Sequence, residues 1–238
     1  MHLWWARRGD ARAGLLRLLD PVERRRYEAT VGPADRDRFL VGCALSRHAL
    51  GELLGLPPAE VPLRRVCPRC GGPHGKVTLD AGHPDVDLSV THSGTLIGVA
   101  VCRGAAVGLD AEEWPAGPVE GLPDIDSAAR VALTDTERTA LYARPAAERP
   151  AAFLRTWTRK EAVLKALGVG LRAPLRRLEV SAPEAPPTVL TWPEQIAAPA
   201  ALSMADLTVD DMHPAAVAVT AEGGLRLLRH DGSALLAG

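Results

Sequence analysis

The stretch from Val86 to Asp110, which reads VDLSVTHSGTLIGVAVCRGAAVGLD, decides the fold of the first half of the chain. Its first five residues alternate between apolar and polar side chains, which is the period of a half-buried strand. Leu96 to Val101 predicts a second, more buried strand, and Ala105 to Leu109 predicts a third. If consecutive strands pair antiparallel, the first strand ends at the same edge as the third. This antiparallel meander would place a turn at His92 beside Asp110, and alternation would put Glu112 on the same side of the chain as Asp110.

Helical patterns lie on both sides of this stretch. Pro33 opens one of them, apolar residues recur at helical spacing up to Leu54, and Gly55 ends it. The other pattern covers Ala151 to Leu167 and stops at Gly168. A Pro/Gly-rich segment between the two patterns is interpreted as a linker. We therefore divide the chain into an N-terminal half, a linker and a C-terminal half, with the bounds 1–113, 114–125 and 126–238.

Composition limits the classes of function. The chain has 238 residues, is 47% hydrophobic and 24% charged, and carries a net charge of −1. This balance argues against a nucleic-acid binder that relies on bulk positive charge. No apolar run approaches the roughly 20 residues that span a bilayer, and the N-terminus shows no signal-peptide pattern. We expect a cytoplasmic protein that binds neither nucleic acid nor membrane.

The four cysteines fall into two kinds. Cys43 and Cys102 stand alone in apolar runs and are expected to be buried. Cys67 and Cys70 form a Cys-x-x-Cys pattern that His74 follows, and such a group could hold zinc. A closed structural zinc site needs four ligands, however, and no second pair follows. We therefore expect a tight Pro/Gly-rich turn, and we expect replacement of both cysteines by serine to leave the fold intact.

The C-terminal helix carries an unusual stripe. Phe153, Trp157, Glu161 and Lys165 are four residues apart and share one face. The simplest interpretation is an exposed Glu–Lys pair, whereas a buried stripe would point to a site. Lysine itself is scarce, because 25 of the 28 cationic residues are arginine. The remaining lysines are expected where a compact ammonium group matters, and they are Lys76, Lys160 and Lys165.

Three carboxylates invite a joint interpretation. Asp110 and Glu112 follow a predicted strand, and Glu161 lies on the predicted helix. Oxygen ligands of this kind suit Mg²⁺ or Mn²⁺, which take the rest of their shell from waters and substrate phosphates. A magnesium-dependent phosphohydrolase or nuclease could use such carboxylates. A zinc-binding interaction module built on the Cys-x-x-Cys pattern is a further alternative.

Four ordered motifs resemble those of a known family. The sequences at 108–112 (GLDAE), 157–165 (WTRKEAVLK), 91–94 (THSG) and 75–77 (GKV) are similar to motifs of the 4'-phosphopantetheinyl transferases. The resemblance is to the broad-specificity Sfp type, which activates carrier proteins of peptide and polyketide synthases. The helical motif matches at every fixed position. The other motifs depart from the family by Leu109 in place of isoleucine or valine, by Thr91 in place of serine, and by Val77 in place of proline.

This resemblance implies a fold and a reaction. The fold is α+β, a pseudo-dimer of two similar halves with antiparallel sheets and the active site in the cleft between them. The reaction transfers the phosphopantetheine arm of coenzyme A to a serine of an apo carrier protein and releases 3',5'-ADP. The implied partners are acyl, polyketide and peptidyl carriers of fatty-acid synthesis and secondary metabolism. The protein is expected to act as a monomer.

The resemblance also assigns roles to residues. Mg²⁺, with Mn²⁺ as an alternative, would be held by Asp110, Glu112 and Glu161. Glu161 would also serve as the base, directly or through water, and Lys165 and His92 would bind the pyrophosphate. The remaining contacts with coenzyme A are implied for Lys76, Thr91, Ser93 and Asp110, and for Arg26 and Arg38 at the 3'-phosphate.

Overall fold

The computed structural model describes residues 1–67, 70–80, 82–113, 125–170 and 173–238. The chain forms two compact units, of which the first is Met1–Val107 with Arg226–Gly238 and the second is Gly108–Leu225. Their bounds differ from the predicted halves, because the C-terminal segment returns to the first unit. The predicted linker at 114–125 lies outside the described residues except for Ile125, which begins a helix. No helix among the described residues has the length and apolar character needed to cross a membrane.

The first unit combines a four-stranded sheet with one long helix. The helices of this unit are α1 (Pro21–Ala29), α2 (Pro33–Leu54) and α6 (Gly232–Ala237). The strands are β1 (His2–Arg7), β2 (Leu63–Arg65), β3 (Val77–Leu79), β4 (Val86–Ser93), β5 (Leu96–Arg103) and β11 (Leu228–Asp231). The sheet has the order β11-β1-β5-β4, and β5 pairs antiparallel with both β1 and β4, whereas β11 runs parallel to β1. A separate hairpin pairs β2 with β3.

Helix α2 confirms its sequence prediction at both ends. Pro33 occupies its first turn, where a missing N–H costs little, and Gly55 ends it in the left-handed conformation with φ of 69°. The helix packs on β1, β4 and β5. Its core partners include Trp4, Leu88 and Ile97, all at most 2% exposed. The first unit therefore has a hydrophobic core of its own.

The second unit likewise combines an antiparallel sheet with one long helix. Its helices are α3 (Ile125–Ala132), α4 (Asp135–Tyr142) and α5 (Arg149–Leu167). Its strands are β6 (Val107–Ala111), β7 (Glu179–Val180), β8 (Val189–Thr191), β9 (Ser203–Val209) and β10 (His213–Val219). The main sheet has the order β6-β10-β9 with β9 and β10 antiparallel, and β7 pairs antiparallel with β8. Helix α5 packs on β10, β7, α3 and α4. The fold is thus α+β with mainly antiparallel sheets, as predicted.

The predicted meander is confirmed for its first two strands and wrong for the third. Strands β4 and β5 pair antiparallel, with Ser93 opposite Leu96 across a turn at Gly94 and Thr95. Strand β6 pairs with β10, because both edges of β5 are occupied by β1 and β4. His92 also lies within β4 and not in the turn. Since β6 is not the third strand of a meander, strand pairing does not place His92 beside Asp110.

Candidate active site

The stripe on α5 faces the interior. Phe153 is 5% exposed and Glu161 is 8% exposed, and the rings of Phe153 and Trp157 have centroids 6.1 Å apart. Lys165, in the last turn, keeps 27% of its side chain accessible. The interpretation of the stripe as an exposed Glu–Lys pair is therefore wrong. A carboxylate buried beside aromatic rings at the middle of a helix indicates a site.

The end of β6 meets this stripe through two polar contacts. Asp110, which is 4% exposed, forms an ion pair with Lys165 at 2.6 Å between Oδ1 and Nζ. Lys165 also donates to the Leu109 carbonyl at 3.2 Å. Trp157 donates its ring N–H to Glu112 Oε1 at 3.1 Å. The motif at 108–112, which ends β6, and the motif at 157–165 on α5 are therefore joined by contacts of their side chains.

A glycine allows this close approach of strand and helix. A Cβ placed on Gly108 would lie 1.9 Å from the Ala162 carbonyl oxygen and 2.4 Å from the Ala166 nitrogen. Backbone atoms cannot move aside as a flexible side chain can, so only glycine fits at this position. Gly108 therefore allows β6 to lie against the backbone of α5 at Ala162 and Ala166.

The carboxylate of Glu161 has a strongly raised pKa. Its pKa is raised from the ordinary 4.5 to about 7, mainly by burial and also by the negative charge of Asp110 and of Glu112, whereas the positive charge of Lys165 acts in the opposite direction. Its Oε1 is buried without a hydrogen-bond partner among the described residues. Glu161 therefore offers a buried acceptor oxygen to a cation, beside two further carboxylates. This donor set fits a hard divalent metal ion.

The three carboxylates are neighbours, but they do not close around a single point. Among the described residues, the only His, Cys, Asp and Glu ligand atoms that lie within 4.8 Å of one another in a group of three belong to Cys67, Cys70 and His74. In the site itself, Lys165 supplies a positive charge to Asp110 and Trp157 supplies a donor to Glu112.

The other residues predicted to bind the cofactor lie in the first unit. Lys76 forms an ion pair with Asp87 and donates to the Val107 carbonyl at 3.1 Å. On β4, Thr91 is 3% exposed, whereas His92 is exposed. Successive strand residues point to opposite faces, so His92 does not share a face with Thr91 and Ser93. The structure therefore places the three residues together on one strand but not on one surface.

The two arginines predicted at the 3'-phosphate have different surroundings. Arg38 donates to the Gly94 carbonyl at 2.9 Å and forms an ion pair with Asp35 at 2.5 Å. Arg26 lies over the ring of Phe39 and lines a cavity of about 390 Å³. Arg65 lines the same cavity, and Arg26 Nη1 and Arg65 Nε are buried there without hydrogen-bond partners among the described residues.

Sequence reasoning missed Arg65. Burial lowers the pKa of its guanidinium group. We call the cavity lined by Arg25, Arg26, Arg64 and Arg65 the arginine pocket. The signal that could have identified it was the Arg64-Arg65 pair on a short strand, which composition alone does not distinguish among 25 arginines.

Comparison with known proteins identifies the family of the chain. Residues 106–219 match the family described as the 4'-phosphopantetheinyl transferase superfamily, and this range contains both the motif at 108–112 and the motif at 157–165. The 4'-phosphopantetheinyl transferase HetI of Nostoc sp. is 31% identical over 194 residues, which are 80% of this chain and 74% of that protein. The chain belongs to the 4'-phosphopantetheinyl transferase superfamily. The protein accordingly transfers phosphopantetheine from coenzyme A to carrier proteins, and its activity depends on a metal ion, a general property of this family.

Two further transferases show similar identity over shorter ranges. A phosphopantetheinyl transferase of Thraustochytrium sp. is 30% identical over 181 residues, which are 73% of this chain and 60% of that protein. A 4'-phosphopantetheinyl transferase of Bacillus subtilis is 31% identical over 146 residues, which are 61% of this chain and 58% of that protein.

One lysine of the motif at 157–165 stabilises the fold and does not face the site. Lys160 is fully buried, forms an ion pair with Glu137, and donates to the carbonyls of Ala132 at 2.8 Å and Leu175 at 3.0 Å. It therefore ties α5 to the end of α3 and to the segment before β7. With Lys76 and Lys165, it confirms that each of the three lysines makes specific contacts.

The raised pKa of Glu161 predicts how the stability of the metal-free transferase depends on pH. The folded protein retains a proton that the unfolded chain releases near pH 4.5, so the free energy of unfolding falls as pH rises from about 4.5 to about 7. At about 1.4 kcal/mol per pKa unit, this effect approaches about 3 kcal/mol. Urea unfolding of the wild type and Glu161→Gln across this range measures it.

We expect Glu161→Gln to gain stability relative to the wild type as pH rises, because glutamine does not titrate. Glu194→Gln serves as the control, since Glu194 is exposed in the same unit. A stability difference between Glu161→Gln and the wild type that stays constant across the range would contradict the assignment.

Proposed function

We propose that this transferase is of the broad-specificity Sfp type and that Asp110, Glu112 and Glu161 hold its activating metal ion. The observation that carries the metal assignment is the carboxylate of Glu161, which is buried, has a raised pKa and lies beside two further carboxylates. We assign Mg²⁺ to the site, with Mn²⁺ as an alternative, because oxygen donors suit both ions. The metal would offset the negative charge of the pyrophosphate and stabilise the charge on the leaving group.

Lys165 is assigned to the pyrophosphate of coenzyme A. It lies beside Asp110, and part of its side chain remains accessible. An ammonium group within reach of a phosphate forms a charge-assisted hydrogen bond, which is about twice as strong as a neutral one. Binding of coenzyme A would therefore share Lys165 between Asp110 and the phosphate.

Glu161 is assigned as the base that accepts the proton of the carrier serine, directly or through water. A serine hydroxyl is a weak nucleophile near neutral pH and benefits from such a base. A carboxylate with the ordinary pKa would be too weak a base, whereas one with a pKa near 7 is well matched to the reaction. A bound metal would lower that pKa again, so the base and the metal compete for the same oxygen atoms.

The remaining assignments concern the first unit. We propose that Lys76, Thr91, His92 and Ser93 contact coenzyme A, with His92 at the pyrophosphate. For the 3'-phosphate, the surroundings favour Arg26 over Arg38, because Arg26 lines the arginine pocket and has a buried guanidinium nitrogen that no described residue hydrogen-bonds. We add Arg65 to this assignment for the same reason.

We further propose that the protein acts in the cytoplasm as a monomer, because one chain carries every residue assigned to the reaction. Its partners are apo carrier proteins of fatty-acid, polyketide or nonribosomal peptide synthases. The Sfp type is tested by incubating the protein and coenzyme A with a panel of these three carrier classes and comparing loading rates by mass spectrometry. Loading of carriers from at least two classes at comparable rates supports it, and loading of one class alone would contradict it.

A further inference from the structure

The loop between β2 and β3 brings three potential metal ligands together outside the site described above. The ligand atoms of Cys67, Cys70 and His74 all lie within 4.8 Å of one another. Cys70 Sγ lies 3.0 Å from His74 Nε2. Cys67 is buried, whereas the other two residues are exposed, and neither cysteine forms a disulfide. None of these residues takes part in the proposed transferase chemistry.

Backbone groups of the described part of this loop contact both cysteines. The Gly71 N–H donates to the Cys67 carbonyl, and the Cys67 N–H donates to the Gly72 carbonyl, both at 2.9 Å. The Gly72 N–H points at Cys70 Sγ at 3.4 Å. Such an N–H stabilises negative charge on the sulfur, which is the charge that a metal-binding thiolate carries.

Glycines make room for this arrangement. Gly71 has φ of 68° and Gly75 has φ of 106°, a backbone region that other residues rarely adopt. A Cβ on Gly72 would lie 3.2 Å from Cys70 Sγ and 3.3 Å from His74 Cδ2. A side chain at position 72 would therefore press on two of the three ligands. The loop is built so that the sulfur and imidazole groups can approach one another.

We propose that Cys67, Cys70 and His74 bind one zinc ion. Thiolate sulfur and imidazole nitrogen favour zinc, whereas Mg²⁺ and Ca²⁺ prefer oxygen ligands. Among the described residues, no fourth His, Cys, Asp or Glu joins the group. Water or an exogenous donor takes the fourth tetrahedral position, as in zinc sites with three protein ligands. The expectation of a metal-free turn rested on the missing fourth ligand, and the convergence of three ligands outweighs it.

The zinc ion would stabilise the hairpin of β2 and β3 in the first unit. Strands β2 and β3 have three residues each and pair Leu63 with Leu79 and Arg65 with Val77. So short a hairpin contributes little stability by itself, yet Leu63 and Val77 belong to the hydrophobic core. Zinc would fix the connection between these strands and release thiol protons on binding. Since the unit has a core of its own, we expect zinc removal to loosen the hairpin without unfolding the chain.

Metal analysis tests the proposal without any measurement of transferase activity. The reduced full-length protein is loaded with zinc, desalted and analysed by inductively coupled plasma mass spectrometry. We expect about one zinc per chain, and at least about a tenfold loss of zinc in Cys70→Ser and in His74→Ala. Cys102→Ser is the matched control, because Cys102 lies on β5 outside the group, and it should retain zinc. Cobalt loading should give the charge-transfer absorption of thiolate-bound Co²⁺.

Hydrogen exchange of the wild type, with and without zinc, gives a result that does not depend on folding of a variant. Residues 63–65 and 77–79 should exchange more slowly with zinc, and α2 should be unchanged. Reduced wild-type protein that retains less than about a tenth of a zinc per chain would overturn the proposal. Equal zinc retention by Cys70→Ser and the wild type would also overturn it.

Discussion

Asp110→Ala is expected to reduce carrier loading by at least about a hundredfold while weakening coenzyme A binding far less. The substitution removes a metal ligand at the end of β6, and metal stabilisation is greatest in the transition state. It also releases Lys165 from its ion pair, so this ammonium remains available to the cofactor phosphates. Calorimetric binding of coenzyme A with and without Mg²⁺, together with loading rates, separates the two effects.

Lys165→Ala is the comparison for this experiment. It should weaken coenzyme A binding even without metal, because its charge is assigned directly to phosphate. Glu222→Ala, which removes an exposed carboxylate from the same unit, should behave as the wild type in both assays. The division of roles fails if Asp110→Ala retains near-native turnover, or if it abolishes metal-free binding of coenzyme A.

Gly108→Ala is expected to have the second large effect, on both stability and turnover. The added methyl group would overlap the backbone of α5 at Ala162, so β6 and α5 must move apart. Overpacking of this kind costs about 1–3 kcal/mol or more. Since Asp110 and Glu161 lie on the two separated elements, metal-dependent loading should fall further than the stability loss explains. Urea unfolding and loading rates at a temperature where the variant is folded measure the two effects.

Gly224→Ala is the matched control, because its Cβ would meet nothing within 4 Å in the same unit. Gly224→Ala should change neither the free energy of unfolding nor the rate of carrier loading appreciably. If Gly108→Ala were as stable and as active as Gly224→Ala, the proposed role of Gly108 in positioning the carboxylates would be wrong.

Local sequence signals predicted the long helices well. Pro33 and Gly55 bound α2, and Gly168 ends α5 with φ of 67°, because these residues act through their own backbone. The partners of the strands could not be predicted in the same way. Strand β1 occupies the edge of β5 that the meander assigned to β6, and this pairing joins residues that are about ninety positions apart. Such non-local pairing leaves no mark in the sequence around β5.

The candidate site shows the same division between local and non-local information. Periodicity placed Glu161 and Lys165 on one stripe, alternation after a predicted strand paired Asp110 with Glu112, and the resemblance to a family assigned the three carboxylates to one metal ion. The contacts of Lys165 with Asp110 and of Trp157 with Glu112 required the fold, because they join side chains on separate elements. The sequence also named Cys67, Cys70 and His74 as possible zinc ligands, but their close approach and the place of Arg65 in the arginine pocket depend on how one short hairpin folds.

The most direct test of the central claim is the mass of an apo carrier protein incubated with this protein and coenzyme A. With Mg²⁺, we predict that the carrier gains one phosphopantetheine group of about 340 Da on its serine. A chelator should stop the gain, added Mg²⁺ should restore it, and Glu161→Gln should not support it under either condition. An unchanged carrier mass across peptide, polyketide and fatty-acid carriers, or a full gain in the presence of chelator, would contradict the account.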